Sequence, residues 1–190
     1  MRSYYLSAAG RRTTLMLLVA AVAIWIFALW SLSSTLTLSY APLQFWPSLN
    51  ATLARGLSMS QLVPALLMLV VIVATPLLIW NLLEEWAALY TPTAEGLRFE
   101  SLGIVLLCTW DSLQALHTLD DSDEPHDELE LSSDPTLQIR NPVLRLLHTQ
   151  AYGRTRLPIY AGLADREQLL SEIRSHLSCV EPQEVAVLRG

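Results

Sequence analysis

The sequence predicts an α+β protein in which two transmembrane helices are followed by a small antiparallel β-barrel or sandwich capped by a C-terminal α-helix. Two long apolar runs occupy the first 83 residues. Short apolar runs separated by turn residues follow, and the last periodic segment has the spacing of an amphipathic helix. The chain has 190 residues, of which 52% are hydrophobic, which is enough for one or two domains.

The charges differ between the two parts of the chain. Residues 1–83 contain four arginines and no carboxylate, whereas residues 84–190 contain eight arginines and all 18 carboxylates, which gives the second part a net charge of −10. A domain this acidic repels a phosphate backbone, so nucleic acid is not an expected partner.

Two uncharged stretches, about 14–32 and 62–83, are long enough to cross a bilayer. At about 1.5 Å per residue the first reaches about 28 Å, close to the ~30 Å of a hydrocarbon core. Its length also favours an uncleaved span over a cleaved signal peptide. Residues 1–86 are therefore predicted to form a transmembrane hairpin, residues 87–180 a cytoplasmic domain, and residues 181–190 a tail.

The placement of arginines predicts the orientation of the hairpin. Arg2, Arg11 and Arg12 precede the first span, and only Arg55 lies in the loop that follows it. Because cytoplasmic segments are enriched in basic residues, both termini are predicted to be cytoplasmic. We expect a multi-pass protein of a bacterial inner membrane.

Side chains suited to the membrane interface flank the two spans. Arg11 and Arg12 lie before the first span, and Trp80 and Trp86 bracket the end of the second. Basic and aromatic side chains concentrate at the membrane–water interface. These four residues are therefore predicted to be interfacial, with the lipid bilayer as the first expected partner.

The pattern after residue 91 predicts seven short strands. Apolar residues alternate or run continuously between turn residues, as in a sandwich or barrel. The seven segments are "GLRFE", "GIVLLCTW", "SLQALHTL", "ELELS", "TLQIR", "VLRLLHT" and "RLPIYA".

The segment "DREQLLSEIRSHL" predicts the C-terminal helix. Asp165 is a suitable N-cap, and Gln168 completes the spacing of a capping box. Leu170, Ile173 and Leu177 form one apolar stripe, which we expect to pack on the strands.

Several segments together resemble bacterial pleckstrin-homology-like domains attached to membrane hairpins. The matching parts are the "T…GL" start of the domain (Thr93, Gly96 and Leu97), the turn Trp110–Leu113, and the last strand and helix, Leu157–Ile173. They cover about half of the chain. The resemblance implies a pleckstrin-homology-like fold and a membrane-tethered binding or assembly module, without shared catalytic residues.

The stretch "LDDSDEPHDELEL" contains seven carboxylates and a histidine between two predicted strands. Counted from Asp121, its sixth position is His126, where a calcium-binding EF-hand loop requires glycine. Residues 120–128 of this stretch, "DDSDEPHDE", are therefore predicted to be an exposed, solvated hairpin loop, with divalent-ion binding as the alternative.

Four arginines, Arg140, Arg145, Arg154 and Arg156, form the one basic concentration in the domain. They are candidates for binding a lipid headgroup or a small anionic ligand, and the alternative is that they pair with nearby carboxylates. The sequence contains no nucleotide-binding motif and no metal-ligand spacing of Cys or His. No catalytic residue, metal or cofactor is predicted.

The expected function is therefore non-catalytic. The chain is predicted to be a membrane-tethered interaction or scaffolding module that acts with protein partners or as a homo-oligomer. One alternative is a sensor of lipid headgroups or small ligands that uses the arginines at 140–156. Another is an accessory subunit of a membrane enzyme or transporter, although neither span contains the ionisable residue that a transport pathway usually has.

Overall fold

A computed structural model describes residues 2–36, 41, 44–56, 58–119 and 126–180. The predicted tail and the acidic residues 120–125 lie outside this set. The chain divides into two compact units. Leu15–Leu82 form the hairpin unit, and Met1–Thr14 together with Leu83–Gly190 form the sheet unit.

The described residues form five α-helices and seven β-strands. The helices are α1 (Ala8–Leu36), α2 (Phe45–Arg55), α3 (Met59–Trp86), α4 (Pro142–Tyr152) and α5 (Arg166–Val180). The strands are β1 (Tyr4–Tyr5), β2 (Leu89–Pro92), β3 (Gly96–Ser101), β4 (Ile104–Thr109), β5 (Leu113–Leu119), β6 (His126–Leu131) and β7 (Arg156–Ile159). Two 3-10 turns lie at Trp110–Ser112 and Pro135–Gln138.

Helices α1 and α3 are long and apolar enough to cross a membrane. They contain 29 and 28 residues, with mean hydropathies of 2.5 and 2.8. Ala21 and Ala28, one heptad apart on α1, are buried within the hairpin unit, as is Ala65 on α3. Small side chains of this kind let helix backbones approach closely in an apolar environment.

The proline in the middle of α3 is compensated by a residue of α1. Pro76 has no N–H, so the carbonyl of Ile72, four residues earlier, loses its helical donor. The indole N–H of Trp25 donates to the Ile72 carbonyl oxygen at 3.1 Å. This hydrogen bond joins the two helices where an apolar environment would otherwise leave a backbone group unsatisfied.

The sheet unit contains two antiparallel sheets. Their strand orders are β1-β2-β3-β4 and β5-β6-β7, and the described residues do not join the two sheets into a closed barrel. In the first sheet Leu97 lies opposite Cys108, and Phe99 lies opposite Leu106. Because alternate residues of a strand point to the same face, these four side chains are buried together on one face of the sheet.

The first strand comes from the residues that precede the hairpin. Tyr4 on β1 pairs with Tyr90 on β2, and Leu6 forms a bridge with Leu163. The backbone N–H of Ser7 donates to the Gly162 carbonyl at 2.9 Å. These N-terminal residues, predicted to be part of the hairpin at 1–86, belong to the sheet unit in the structure.

Two of the seven predicted strands are wrong. The segment "TLQIR" contains the 3-10 turn, and "VLRLLHT" lies in α4. The Asn141 side chain accepts a hydrogen bond from the Val143 N–H at 2.9 Å, and Pro142 stands at the first helical position. An asparagine cap followed by proline is a strong helix start, and it outweighs the β-like alternation of the leucines. The other five segments overlap β3 to β7, whereas β1 and β2 were not predicted.

The predicted C-terminal helix is confirmed as α5. Leu170 and Ile173 are buried, as predicted, and Leu177 is half-buried. The side chains proposed as a capping box have a different partner, because Asp165 and Gln168 both accept hydrogen bonds from the Arg2 guanidinium at 2.5 Å.

Candidate functional site

The four candidate arginines occupy different surroundings. Arg145 donates to the Ile139 carbonyl at 2.7 Å, and Arg156 forms an ion pair with Glu128 at 3.0 Å. Arg140 and Arg154 are both exposed. Arg140 precedes α4, and Arg154 follows it. Two of the four are therefore engaged within the sheet unit, and two face solvent.

The predicted interfacial residues lie at the ends of the two long helices. The Arg11 guanidinium lies over the Tyr5 ring, 5.5 Å from its centroid, and Arg12 is exposed. Trp80 is half-buried, and Trp86 at the end of α3 is exposed.

Part of the acidic stretch is not a solvated loop. Residues 126–131 form β6. Asp127 is only 1% exposed and accepts a hydrogen bond from Arg166 at 2.5 Å, so the expectation that it is exposed is wrong. Glu130 pairs with His117 at 2.7 Å. Among the described residues, no group of three or more His, Cys, Asp or Glu is placed to hold a metal ion.

The residues that carry the family resemblance stabilise a turn. The Trp110 indole N–H donates to the Thr93 carbonyl at 3.0 Å, and the Thr93 hydroxyl donates to the Gly96 carbonyl at 2.7 Å. A Cβ at Gly96 would lie 2.1 Å from the Cys108 carbonyl oxygen, so only glycine fits. The Trp110 ring stacks on His176 of α5 with 3.9 Å between ring centroids. These residues therefore have clear structural roles.

A buried acid–histidine pair is the most unusual polar arrangement in the sheet unit. Glu84 Oε1 and His148 Nδ1 lie 2.6 Å apart, and both side chains are 0% exposed. Glu84 lies in the last turn of α3, directly after the uncharged stretch predicted to span the membrane. Its backbone carbonyl accepts a hydrogen bond from the Ser101 hydroxyl at 2.6 Å. The pair thus joins the end of α3 to α4.

The hydrogen bond to Glu84 determines how the His148 ring can be protonated. With Nδ1 as the donor, a neutral ring has its acceptor lone pair on Nε2. Nε2 is buried and has no hydrogen-bond partner within the described part of the chain. Since buried polar atoms nearly always have a partner, Nε2 is a position at which this pair can take a further hydrogen bond.

Aromatic side chains surround the pair and complete what we call the Glu84–His148 cluster. The His148 ring centroid lies 5.3 Å from that of Tyr152 and 6.2 Å from that of Phe99. The hydroxyls of Tyr152 and Tyr160 are 2.9 Å apart, and the Tyr90 hydroxyl donates to the Pro158 carbonyl at 2.6 Å.

Burial changes the acid–base behaviour of the tyrosines in this cluster. Burial first, then the neighbouring Tyr152 and Glu84, raise the pKa of Tyr90 well above its usual value. Burial, with Tyr90 and Tyr152 nearby, raises the pKa of Tyr160 in the same direction. Both phenols therefore stay protonated at neutral pH. The Tyr90 hydroxyl donates from β2 to Pro158 of β7, and the hydrogen bond between Tyr152 and Tyr160 joins α4 to the residue that follows β7.

Sequence reasoning missed the Glu84–His148 cluster for a physical reason. Its two ionisable members are 64 positions apart, so no local spacing relates them. In addition, His148 lies in the segment "VLRLLHT", which the leucine pattern predicted to be a strand. The asparagine–proline start of α4 was the one signal that pointed to a helix carrying His148.

Comparison with known proteins gives no match: no family model, no curated protein and no solved structure matches the chain.

Proposed function

We propose that the chain is a non-catalytic interaction and assembly module anchored in a bacterial inner membrane. In this proposal α1 and α3 span the bilayer, and the sheet unit is a pleckstrin-homology-like domain on the cytoplasmic side. The domain binds protein partners or further copies of the chain.

The pairing of β1 with β2 carries the proposal. Tyr4 and Tyr5 precede α1, whereas Leu89 and Tyr90 follow α3, and the two segments share one sheet. Since both flanks belong to one sheet, they lie on the same side of any membrane that the chain crosses. An even number of crossings satisfies this condition, and α1 and α3 supply two. The arginines before α1 then favour the cytoplasmic side.

The order of the elements supports a pleckstrin-homology-like domain. A four-stranded and a three-stranded antiparallel sheet are followed by a helix after the last strand. That helix buries Leu169, Leu170 and Ile173. The inserted α4, between β6 and β7, departs from the seven-strand pattern that the sequence predicted.

The Glu84–His148 cluster supports an assembly role. It ties the last turn of α3 to α4 and to three tyrosines within the sheet unit.

Cysteine labelling in intact cells tests the topology. The parent is Cys179→Ser, which keeps Cys108; burial raises the pKa of this thiol to about 12, so it does not react with maleimides at neutral pH. Two matched variants, Ala54→Cys on α2 and Ala94→Cys in the β2–β3 turn, place thiols at exposed positions. A membrane-impermeant maleimide should label Ala54→Cys in intact cells and Ala94→Cys only after permeabilisation. Labelling of Ala94→Cys in intact cells would exclude a cytoplasmic domain.

Photo-crosslinking tests the assembly role. A photoreactive phenylalanine analogue at Ser171 or Arg174, both exposed on α5, should give discrete adducts in native membranes, either with a second copy of the chain or with another protein. The same photoreactive analogue at Val70, an exposed residue of α3, serves as the matched control, because Val70 lies in a helix that is proposed to span the membrane. Chains that stay monomeric at every domain position would contradict an assembly module.

A further inference from the structure

Five exposed apolar side chains belong to neighbouring segments of the sheet unit, and we call them the α4 surface. They are Leu102, Val105, Leu137, Val143 and Leu146, with exposed fractions between 39% and 68%. They come from the β3–β4 hairpin, the second 3-10 turn and α4.

Specific contacts hold these three segments together. The Gln138 side-chain amide accepts from the Leu107 N–H at 2.9 Å and donates to the Leu107 carbonyl at 3.0 Å, so the 3-10 turn lies along the outer edge of β4. A Cβ at Gly103 would lie 4.0 Å from Leu144, so α4 lies beside the tip of the β3–β4 hairpin. The apolar side chains therefore belong to neighbouring segments of one surface.

Helix α4 has two different faces. Val143 and Leu146 are three residues apart and share one exposed face. At about 100° per residue, His148 lies on the opposite face, where it meets Glu84. An exposed apolar face on a helix whose other face is buried marks a surface that binds a membrane or another protein.

The α4 surface begins where α3 ends. A groove of 240 Å³ is lined by Ala87, Leu89 and residues 100–105, and Ala87 directly follows the last residue of α3. Within the sheet unit, the groove therefore runs from the residue that follows α3 to Leu102 and Val105. The hydrogen bond between His148 and Glu84 joins α4 to the last turn of α3, which belongs to the same unit.

The charge around α4 is opposite in sign to that of the rest of the domain. Residues 135–164 contain four arginines and no carboxylate, although residues 84–190 contain all 18 carboxylates of the chain. Arg140 and Arg154 flank α4, and neither forms an ion pair with a carboxylate in the described part of the chain. Apolar residues flanked by exposed arginines complement a bilayer whose headgroups are anionic.

We infer that the α4 surface docks on the headgroup layer of an anionic bilayer. Leu102, Val105, Leu137, Val143 and Leu146 insert among the headgroups and upper acyl chains, and Arg140 and Arg154 bind the phosphates of anionic lipids. The inference rests on the proposed membrane-spanning function, because the bilayer in question is the one that α1 and α3 would cross.

Depth-dependent fluorescence quenching of the full chain tests this docking. Single cysteines at Leu146, Val70 and Ala94, in the Cys179→Ser parent, are labelled with an environment-sensitive fluorophore. The labelled chains are reconstituted into vesicles of equal parts phosphatidylcholine and phosphatidylglycerol. Nitroxide-bearing lipids should quench the labels at Leu146 and Val70, and aqueous iodide should quench the label at Ala94. Ala94 is the control because it lies in the β2–β3 turn, at the other end of β2 from Ala87.

The labels at Leu146, Val70 and Ala94 distinguish a failure of the docking from a failure of the proposed membrane spans. A label at Val70 that lipid nitroxides do not quench would overturn the proposed membrane spans themselves. Quenching at Val70 together with iodide access at Leu146 would overturn the docking alone. A Leu146 label shielded from both quenchers would show that protein, such as a second copy of the chain, covers the surface, and this result also overturns the inference.

Substitutions of Arg140 and Arg154 test whether these arginines bind the phosphates of anionic lipids. Arg140→Gln and Arg154→Gln should each weaken docking about fivefold, or ~1 kcal/mol, in the mixed vesicles. Arg98→Gln, which removes an exposed arginine that pairs with Glu100, is the matched control and should leave Leu146 quenching unchanged. Equal quenching of the arginine variants and the parent would contradict the binding of anionic headgroups.

Discussion

At the residue scale, the Glu84–His148 pair places two ionisable groups where water cannot reach them. Transferring such groups into a protein interior is costly unless each finds a partner. Here each is the partner of the other, at 2.6 Å, and Tyr152 and Phe99 surround the imidazole. The stability of this region therefore depends on both members being present.

We predict strong coupling between the two residues. Glu84→Leu or His148→Leu alone should lower the free energy of unfolding by about 3–5 kcal/mol, because each leaves the other polar group buried without its partner. The double variant should cost much less than the sum, since both polar groups are then replaced by apolar ones. Denaturant titration of the full chain in mild detergent, followed by near-UV circular dichroism, measures the free energy of unfolding. The titration is done on the parent, the two single variants and the double variant.

The exposed pair His117–Glu130 provides the control for this cycle. Both of its side chains are partly exposed, so His117→Leu should change the unfolding free energy by less than about 1 kcal/mol. Additive effects of the two single variants at positions 84 and 148 would show that the buried pair is not an energetic unit.

At the element scale, the hydrogen bond from Trp25 to the Ile72 carbonyl explains why α3 accepts a proline. Pro76 removes the N–H that would normally serve that carbonyl, and the partner comes from α1. Next to it, the Thr75 hydroxyl donates to the Val71 carbonyl at 2.7 Å. Two consecutive carbonyls of α3, those of Val71 and Ile72, thus accept from side-chain donors, and at Ile72 the side chain replaces the N–H that Pro76 lacks.

We predict that the Trp25 contribution depends on Pro76. Trp25→Phe should destabilise the hairpin unit by about 1 kcal/mol, the usual range for a hydrogen bond between membrane helices. In a Pro76→Ala background the new N–H serves the Ile72 carbonyl, so Trp25→Phe should lose most of this effect. Unfolding of the full chain in mixed detergent micelles measures the difference.

Trp30→Phe is the matched control, because Trp30 is largely exposed on the same helix. It should have little effect in either background. An unchanged cost of Trp25→Phe in the Pro76→Ala background would mean that the indole contributes through packing and not through its hydrogen bond.

Helix α4 shows why element type was harder to predict than element position. Its leucines alternate as in a strand, and only the Asn141 cap with Pro142 indicates a helix. Short segments with mixed signals depend on the tertiary contacts that they reach, here the burial of His148 against Glu84. The local sequence pattern does not predict that contact.

At the scale of the whole molecule, the sheet unit is built from residues on both sides of the hairpin. Tyr4 and Leu6 are buried in it, and Gly10 approaches Gly162 so closely that a Cβ at Gly10 would lie 2.7 Å from the Gly162 carbonyl oxygen. The domain that follows α3 in the sequence is therefore incomplete without the residues that precede α1.

We predict that a fragment of residues 87–180 does not fold on its own. Joining residues 2–14 to residues 83–180 through a flexible Gly/Ser linker should restore the fold, because it returns β1, Leu6 and Glu84, the buried partner of His148. Dispersion of amide resonances in two-dimensional NMR spectra distinguishes the two proteins. The linked protein with Leu6→Asp is the control and should remain unfolded; a well-folded 87–180 fragment would show that the N-terminal segment is dispensable.

Much of the architecture was predictable from the sequence, but the contacts between segments that are distant in the sequence were not. The two apolar helices, five of the strands and α5 follow from hydrophobic periodicity, which is a local property. Strand β1 contains only Tyr4 and Tyr5 and gains its stability from Tyr90, which lies beyond both long helices. The Glu84–His148 cluster depends on the same kind of distant contact. Arg140 and Arg154 could be predicted as exposed charges, but their position beside α4 could not.

The pairing of β1 with β2 also has a consequence for how the protein is made. A ribosome synthesises Tyr4 and Tyr5 first and reaches Leu89 only after both long helices have emerged, a delay on the order of ten seconds at about 5–20 residues per second. During this interval the nascent chain carries an unpaired strand and an unburied leucine. If α1 and α3 cross a bilayer as proposed, only chains in which both flanks of the hairpin arrive in the same compartment can complete the sheet. A wrongly inserted chain would then keep these groups exposed, which would make it a substrate for chaperones and proteases.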